Sequence, residues 1–216
     1  MIKTGLPFEL GETLQGTDDD ANLINDSWLG QVFEVPASRL GNTTIRGSKA
    51  RRTGKPLQVI ALRNESGQTL FGKRLARLTR TAGYSLVESV DGYAATLAEK
   101  HVIIIDEFLS TDGVADNDIF WGLFSGTVTG LTPESGASFN GDIVVGGQLV
   151  AATAATTGTS VAGRFSNVTF TAATAGNTSN GFDGFRMAAN MVGVALSART
   201  TGETNSDLLI HAVIKL

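Results

Sequence analysis

The sequence predicts an all-β chain: a β-sandwich or barrel of short antiparallel strands, with a long N-terminal extended arm and at most one or two short helices. Three observations predict it. Apolar runs of strand length, separated by turn residues, recur about nine or ten times along the chain. The 216 residues include 26 glycines against only 4 prolines, with many threonines and alanines, a composition of frequent turns and small-residue strands. The run "HVIII" is continuous and apolar, which suits a buried strand, and "IFWGLFSGTVTGL" carries enough large apolar residues for a core strand.

In chain order, residues 1–56 read as the arm. The stretch "TDDDANLINDSWLGQVFEVP" offers one short amphipathic turn, with Leu23, Ile24, Trp28 and Leu29 apolar and the acids placed for a helix start. "GNTTIRGSKARRTGKP" is polar, basic and punctuated by glycine, so it reads as loop or extended chain. The apolar residues of the arm argue against full disorder and need a surface to bury against.

The β-rich body is expected over 57–216, with room for two subdomains, 57–118 and 119–216. "LQVIAL" and "TLFGKRLARL" read as strands joined by a turn at "RNESGQ". "YSLVESV" and "HVIII" follow as strands, with "GYAATLAEK" between them as a short helix. "IFWGLFSGTVTGL" is the strongest core segment, through Ile119, Phe120, Trp121, Leu123 and Phe124. Val144 to Leu149, Val168 to Phe170, Met191 to Leu196 and Leu208 to Leu216 complete the strands. Within "DIVVGGQLVAAT" the chemistry is strand, Gly-Gly turn, strand.

Charge is distributed by region. The net charge is −4, yet residues 1–42 hold Glu9, Glu12, Asp18, Asp19, Asp20, Asp26 and Glu34 against only Lys3 and Arg39. Residues 45–80 reverse this, with ten bases against Glu65, and the chain from about 130 to 185 is nearly neutral. Docking on neighbours explains such a layout more simply than a uniformly solvated surface. There are no cysteines, which excludes disulfides and thiol chemistry. The N-terminus lacks a basic stretch followed by an apolar run, so no signal peptide is expected. No apolar stretch approaches the roughly 20 residues of a membrane span, and no membrane partner is expected.

The residues offering chemistry are few. His101 and His211 sit in apolar runs without metal-ligand or metalloprotease spacing and read as core or edge residues. "GLFSGTVTG" does not have the G-x-S-x-G spacing of a nucleophile elbow, so a hydrolase is not expected. Asp18 to Asp20, and Asp112, Asp116 and Asp118, lack calcium-loop spacing and read as solvated acidic turns. The basic stretch Arg46, Lys49, Arg51, Arg52 and Lys55 has little aromatic interleaving; an acidic protein neighbour, not nucleic acid, is its expected partner. No enzyme activity and no cofactor are expected. As anchors of the arm, Phe8, Leu10, Leu14, Trp28 and Phe33 are the candidate partner-binding residues.

The last part of the chain resembles the small β-barrel or sandwich cement proteins that decorate tailed-phage capsids. The pattern begins with "GLFSGTVTG", continues through "FNGDIVVGGQLVAATAATTG" and the loop "TFTAATAGNTSNG", and closes with "NMVGVALSARTTGETNSDLLIHAVIKL". It covers about residues 119–216; the members it resembles are mostly shorter. The resemblance implies a homotrimer on the capsid exterior with the major capsid protein as partner, assembled in the host cytoplasm and without catalysis. The alternative is a glycan- or receptor-binding β-domain of a tail or fibre, with Trp28, Trp121, Tyr84 and Tyr93 as its aromatic platform. Another virion part, such as a tail or neck protein, shares the same composition.

Overall fold

The 13-residue strand Ile119–Leu131 organises the molecule, because its first half pairs with Leu57–Asn64 and its second half with Asp207–Val213. The computed structural model describes residues 3–16, 27–36, 42–45, 48–51, 56–80, 87–94, 101–132, 142–152, 162–167, 190–200, 207–214 and 216. Among the described residues every regular element is a strand, and the all-β expectation holds. In order they are β1 (Lys3–Thr4), β2 (Val32–Val35), β3 (Asn42–Ile45), β4 (Ser48–Arg51), β5 (Leu57–Asn64), β6 (Leu75–Arg80) and β7 (Val87–Tyr93). There follow β8 (Val102–Ile105), β9 (Ile119–Leu131), β10 (Gln148–Ala151), β11 (Phe165–Asn167), β12 (Gly193–Ala195) and β13 (Asp207–Val213).

Strands β5, β7, β6, β8 and β9 close into a barrel, since β9 pairs back onto β5. Closure removes the free sheet edges along those stretches. The β5–β7 contact is parallel and the other four are antiparallel. Strand β5 is a seam: one edge meets β9, while the other meets β2 over Leu57–Ile60 and β7 at Arg63 and Asn64. That arrangement explains its nearly unbroken apolar sequence. Leu57, Val59, Ala61 and Leu62 are all fully buried.

In β9, side chains alternate between two apolar surroundings. Gly122 points at Leu62 and Ile103 inside the barrel, whereas Trp121 lies under the chain's N-terminal segment. At Phe124 the pairing with β5 slips: Gln58 opposes Ser125 and Val59 opposes Leu123, leaving Phe124 as a bulge. Beyond the slip β9 leaves β5 and pairs with β13, from Ser125↔Val213 to Leu131↔Asp207. Here the sheet continues beyond the barrel as an antiparallel wing, called below the second sheet, in the order β9–β13–β12–β10–β11. Gly130 permits its packing, because a Cβ there would lie 2.4 Å from the Phe165 ring and 2.5 Å from Ile210.

Lys73 ties the two halves together. Its N–H donates to Ile105 O at the end of β8 (3.1 Å), and its carbonyl accepts from Leu131 N at the end of β9 (2.9 Å). Its ammonium pairs with Asp207 at the start of β13 (3.0 Å). A pair this exposed contributes about 0–1 kcal/mol, so the backbone bonds matter more. The price is a left-handed backbone at a lysine, φ 65°. Gly163, φ 74°, makes a second tie: it accepts from Leu75 N (2.6 Å) and donates to Ala94 O (2.7 Å).

Several expected elements differ in detail. Val144 and Val145 are not in a strand; they lead into the turn at Gly146, where Gly147 N–H donates to Val144 O (3.0 Å), and both are exposed. Only Ile143 makes a bridge, to Arg199, and the strand begins at Gln148. "TLFGKRLARL" forms a strand only from Leu75, because Phe71 to Arg74 turn across the barrel end. The helix expected over "GYAATLAEK" opens instead on the end of β7 at Gly92 and Tyr93, and 95–100 lie outside the described residues, as do Val168 to Phe170. Of the short helix near Trp28, residues 17–26 lie outside the description, and Trp28 itself sits in a turn.

One buried polar residue sets a barrel loop. Asn64, fully buried, donates from Nδ2 to the carbonyls of Gln68 (2.8 Å), Ala115 (3.0 Å) and Val114 (3.1 Å). Its Oδ1 accepts from Ser66 N (3.1 Å) and Ser66 Oγ (2.6 Å). Asn64→Ala should therefore cost about 1–3 kcal/mol in a denaturant titration, because dry carbonyls lose their donor. Asn64→Asp should cost at least as much, since a carboxylate would face those same carbonyls. Equal stability of both variants and wild type would contradict this role.

Candidate functional site

The N-terminal segment, read from sequence as an arm for neighbours, lies along this chain's own barrel as a strap. Phe8 stacks on Trp121 with ring centroids 4.2 Å apart and planes inclined by 15°. The Trp121 indole N–H donates to Phe8 O (3.2 Å), so one contact supplies apolar burial and satisfies the buried indole. Phe33 meets Trp121 edge-on at 5.2 Å, and Trp28 is tilted against Phe33 at 6.3 Å. Phe8 and Phe33 are buried, and Leu10, Leu14 and Trp28 pack half-buried against the same core. All five anchor residues are thus brought together, on this chain's body. Trp121 is fully buried and presents no platform to a glycan.

Backbone contacts fix the strap's register. Leu14 and Ile119 exchange N–H···O bonds of 2.9 and 2.8 Å, and Gly11 N–H donates to buried Asp106 Oδ2 (2.7 Å). The other carboxylate oxygen accepts from Phe108 N–H (3.0 Å). Two glycines allow the close approach. A Cβ on Gly11 would lie 2.7 Å from Phe108 O, and one on Gly16 would lie 1.7 Å from Asn117 O. The acids Glu9 and Glu12 face outward, exposed. Farther along, β2 pairs antiparallel with β5 beside the barrel, and β1 pairs with β2 in parallel. Removing residues 1–40 would therefore take out β2 and buried Phe33 along with the strap.

The remaining candidates are scattered. Lys49 and Arg51 lie on β4, in register with Thr44 and Asn42 of β3. Arg46, Arg52 and Lys55, with Asp18 to Asp20 and Tyr84, lie outside the described residues. His101 is exposed ahead of β8, and His211 is half-buried on the second sheet between Thr127 and Val194. Asp116 accepts from Gly67 N–H (2.7 Å), and Asp112 is bonded within its own turn to Ser110, so both acids shape loops. Tyr93 accepts from Phe71 N–H (2.7 Å) under the Arg74 guanidinium, 5.1 Å from its ring; burial nonetheless raises its pKa.

Asp118, immediately before β9, faces the strap at Thr13 and Gly16. Burial lifts its pKa above the usual carboxylate range, against the lowering effect of the Thr13 hydroxyl and the Gly16 backbone. A raised acid pKa means the folded chain holds this proton more tightly than the unfolded one. Its contribution is full below the unfolded value of 3.8 and is lost as pH rises through the folded value. Asp118→Asn should therefore show a smaller stability gain than wild type when melting curves at neutral pH and near about pH 4 are compared. An identical gain would remove Asp118 from the account.

Sequence reasoning missed the buried polar groups of the second sheet. Arg164 donates to Thr132 O (2.7 Å), and Arg199 donates to Thr132 Oγ1. Glu107 Oε2 accepts from Thr129 N–H (3.1 Å), satisfying β9 where β5 no longer does. A lone arginine within a neutral run, as in "VAGRFSN", was the available signal.

The fold so defined is a five-stranded barrel joined through one strand to an antiparallel sheet. No protein-family model matches the chain, and no curated protein matches it in sequence. Among solved structures it is similar to the N base of the head fiber gp8.5 of bacteriophage phi29. The identity is 14%, the TM-score 0.35, and the match covers 73% of this chain and 96% of that one. A likeness that distant carries no argument about partners.

Proposed function

We propose that this chain is a non-enzymatic structural protein of a tailed-phage virion, and within that class a capsid decoration or cement protein. It binds the shell exterior and bridges neighbouring subunits of the major capsid protein. The observation that carries the reading is where the cement-protein pattern falls. Within residues 119–216 the described strands pair antiparallel in the order β9–β13–β12–β10–β11, which supports reading the resembling segment as one run of sheet. The strap and the strands before residue 119, which pair with β9 from outside the resembling segment, are then an elaboration that accounts for the greater length.

With the five strap anchors used internally, grip on the shell falls to outward groups. Phe71 and Phe108 are exposed on neighbouring loops at the barrel end and suit an apolar recess of the capsid. Each contact need not be tight, because several contacts on one rigid body raise one another's effective concentration. The test is the copy number per purified particle, with shell melting measured with and without the protein. Hundreds of copies and a higher melting point support cement; a few copies at one vertex would assign it to a tail or neck.

A further inference from the structure

We infer that Arg74, at the barrel end, receives a carboxylate: an Asp or Glu side chain of the shell protein, at the rim of the recess that takes Phe71 and Phe108. The inference deepens the proposed function and rests on it. Arg74 closes the turn that leads from Phe71 into β6. A Cβ on Gly72 would lie 2.5 Å from Asp106 O and 3.6 Å from Leu109 Cβ, so this turn and the one carrying Phe108 touch. The Arg74 guanidinium lies 5.9 Å from the centre of the exposed Phe71 ring and 5.1 Å from that of Tyr93. Tyr93 is itself fixed, accepting from Phe71 N–H (2.7 Å). Two rings therefore hold the cation in place before any partner arrives, which reduces the freedom lost on pairing.

The chemistry of the partner follows from what this cation lacks. Among the described residues no carboxylate pairs with Arg74, and the acids of the adjoining turns are engaged elsewhere. Asp106 accepts from the amides of Gly11 and Phe108, Glu107 accepts from that of Thr129, and Asp112 is bonded to Ser110. Lys73, the next residue along, is already paired with Asp207. A half-buried guanidinium stacked on rings and without an acid beside it matches a planar carboxylate from outside. Phe71 and Phe108, 41% and 39% exposed, supply the apolar part of the contact, and aromatic rings with an arginine are the groups that protein interfaces favour. A nucleic-acid backbone fits less well, because Glu9 and Glu12 stand exposed on the strap, where Gly11 meets Phe108. Those two acids also orient the partner, since its carboxylate is drawn to the Arg74 side and repelled from the strap side.

Shells purified without this chain, titrated with the full-length protein, provide the test. Arg74→Gln should weaken shell binding about tenfold or more and flatten its dependence on salt, because the charged contact is gone. Arg74→Lys should recover part of both. In that variant, carbodiimide coupling should join residue 74 to an Asp or Glu of the shell protein, a crosslink that the wild-type guanidinium does not form. Phe71→Ser with Phe108→Ser should weaken binding and leave its salt dependence in place. Melting curves accompany each variant, and if Arg74→Gln is unfolded the crosslink from Arg74→Lys decides. Either of two results overturns the inference while sparing the cement reading: a folded Arg74→Gln that binds as wild type does, or an Arg74→Lys that couples to no acid of the shell. A wild-type protein that does not bind shells overturns both.

Discussion

Replacing Trp121 by alanine is expected to lower stability by about 3–5 kcal/mol, the largest loss from any single truncation in this chain. The indole is fully buried, stacked by Phe8 and met edge-on by Phe33, so its removal opens a cavity that β9 cannot close. The same change frees the strap, because Phe8 loses its stacking partner and its carbonyl loses a donor. Limited proteolysis should then cut near Phe8 and Leu10 well before the barrel. Trp121→Phe keeps a stacking ring and drops the hydrogen bond, so it should cost only about 1–2 kcal/mol and leave the strap protected. A strap equally resistant in all three proteins would show that the Phe8–Trp121 contact does not hold it.

Gly126→Ala is the second large effect, expected at about 2–3 kcal/mol or more. The backbone there has φ 117°, a region that side chains oppose. An added Cβ would also meet Leu57 Cα and Pro56 O at 3.0 Å, both of them backbone atoms that cannot step aside. Gly122→Ala makes a useful comparison. Its Cβ would strike Ile103 Cγ1 at 2.5 Å and Leu62 Cδ1 at 2.7 Å, which are side chains able to shift, so about 1–3 kcal/mol is expected. Melting temperatures should rank wild type, Gly122→Ala, Gly126→Ala, in falling order. Native-state hydrogen exchange should show β13 losing protection first in the Gly126 variant, since β9 passes from β5 to β13 at that residue.

Strand content was legible because period-two and continuous apolar runs report burial directly. β5, β8 and β9 stand where their runs stand. Closure of the barrel was not legible, because β5–β9 pairing joins segments about sixty residues apart and no local pattern encodes which runs meet. The five strap anchors were readable as residues needing a surface, but not whose surface; Trp121, which supplies it, sits in a run that looks simply like core. Val144 and Val145 misled for the opposite reason: two valines beside a glycine pair carry strand propensity, and the bonds from Ala195 and Val144 that hold the turn are tertiary or local details. The buried Arg164 and Arg199 defy the rule that charges stay outside, and both donate to Thr132 just past the end of β9.

The shared strand has a mechanical consequence. Pulling the second sheet away from the barrel draws on the peptide backbone of β9 itself, since the same chain runs unbroken through both. Hydrogen bonds to β5 at one end and to β13 at the other are then sheared together, not unzipped singly. A molecule wired this way yields late and all at once, behaving under tension as a stiff rivet and not as two beads on a string.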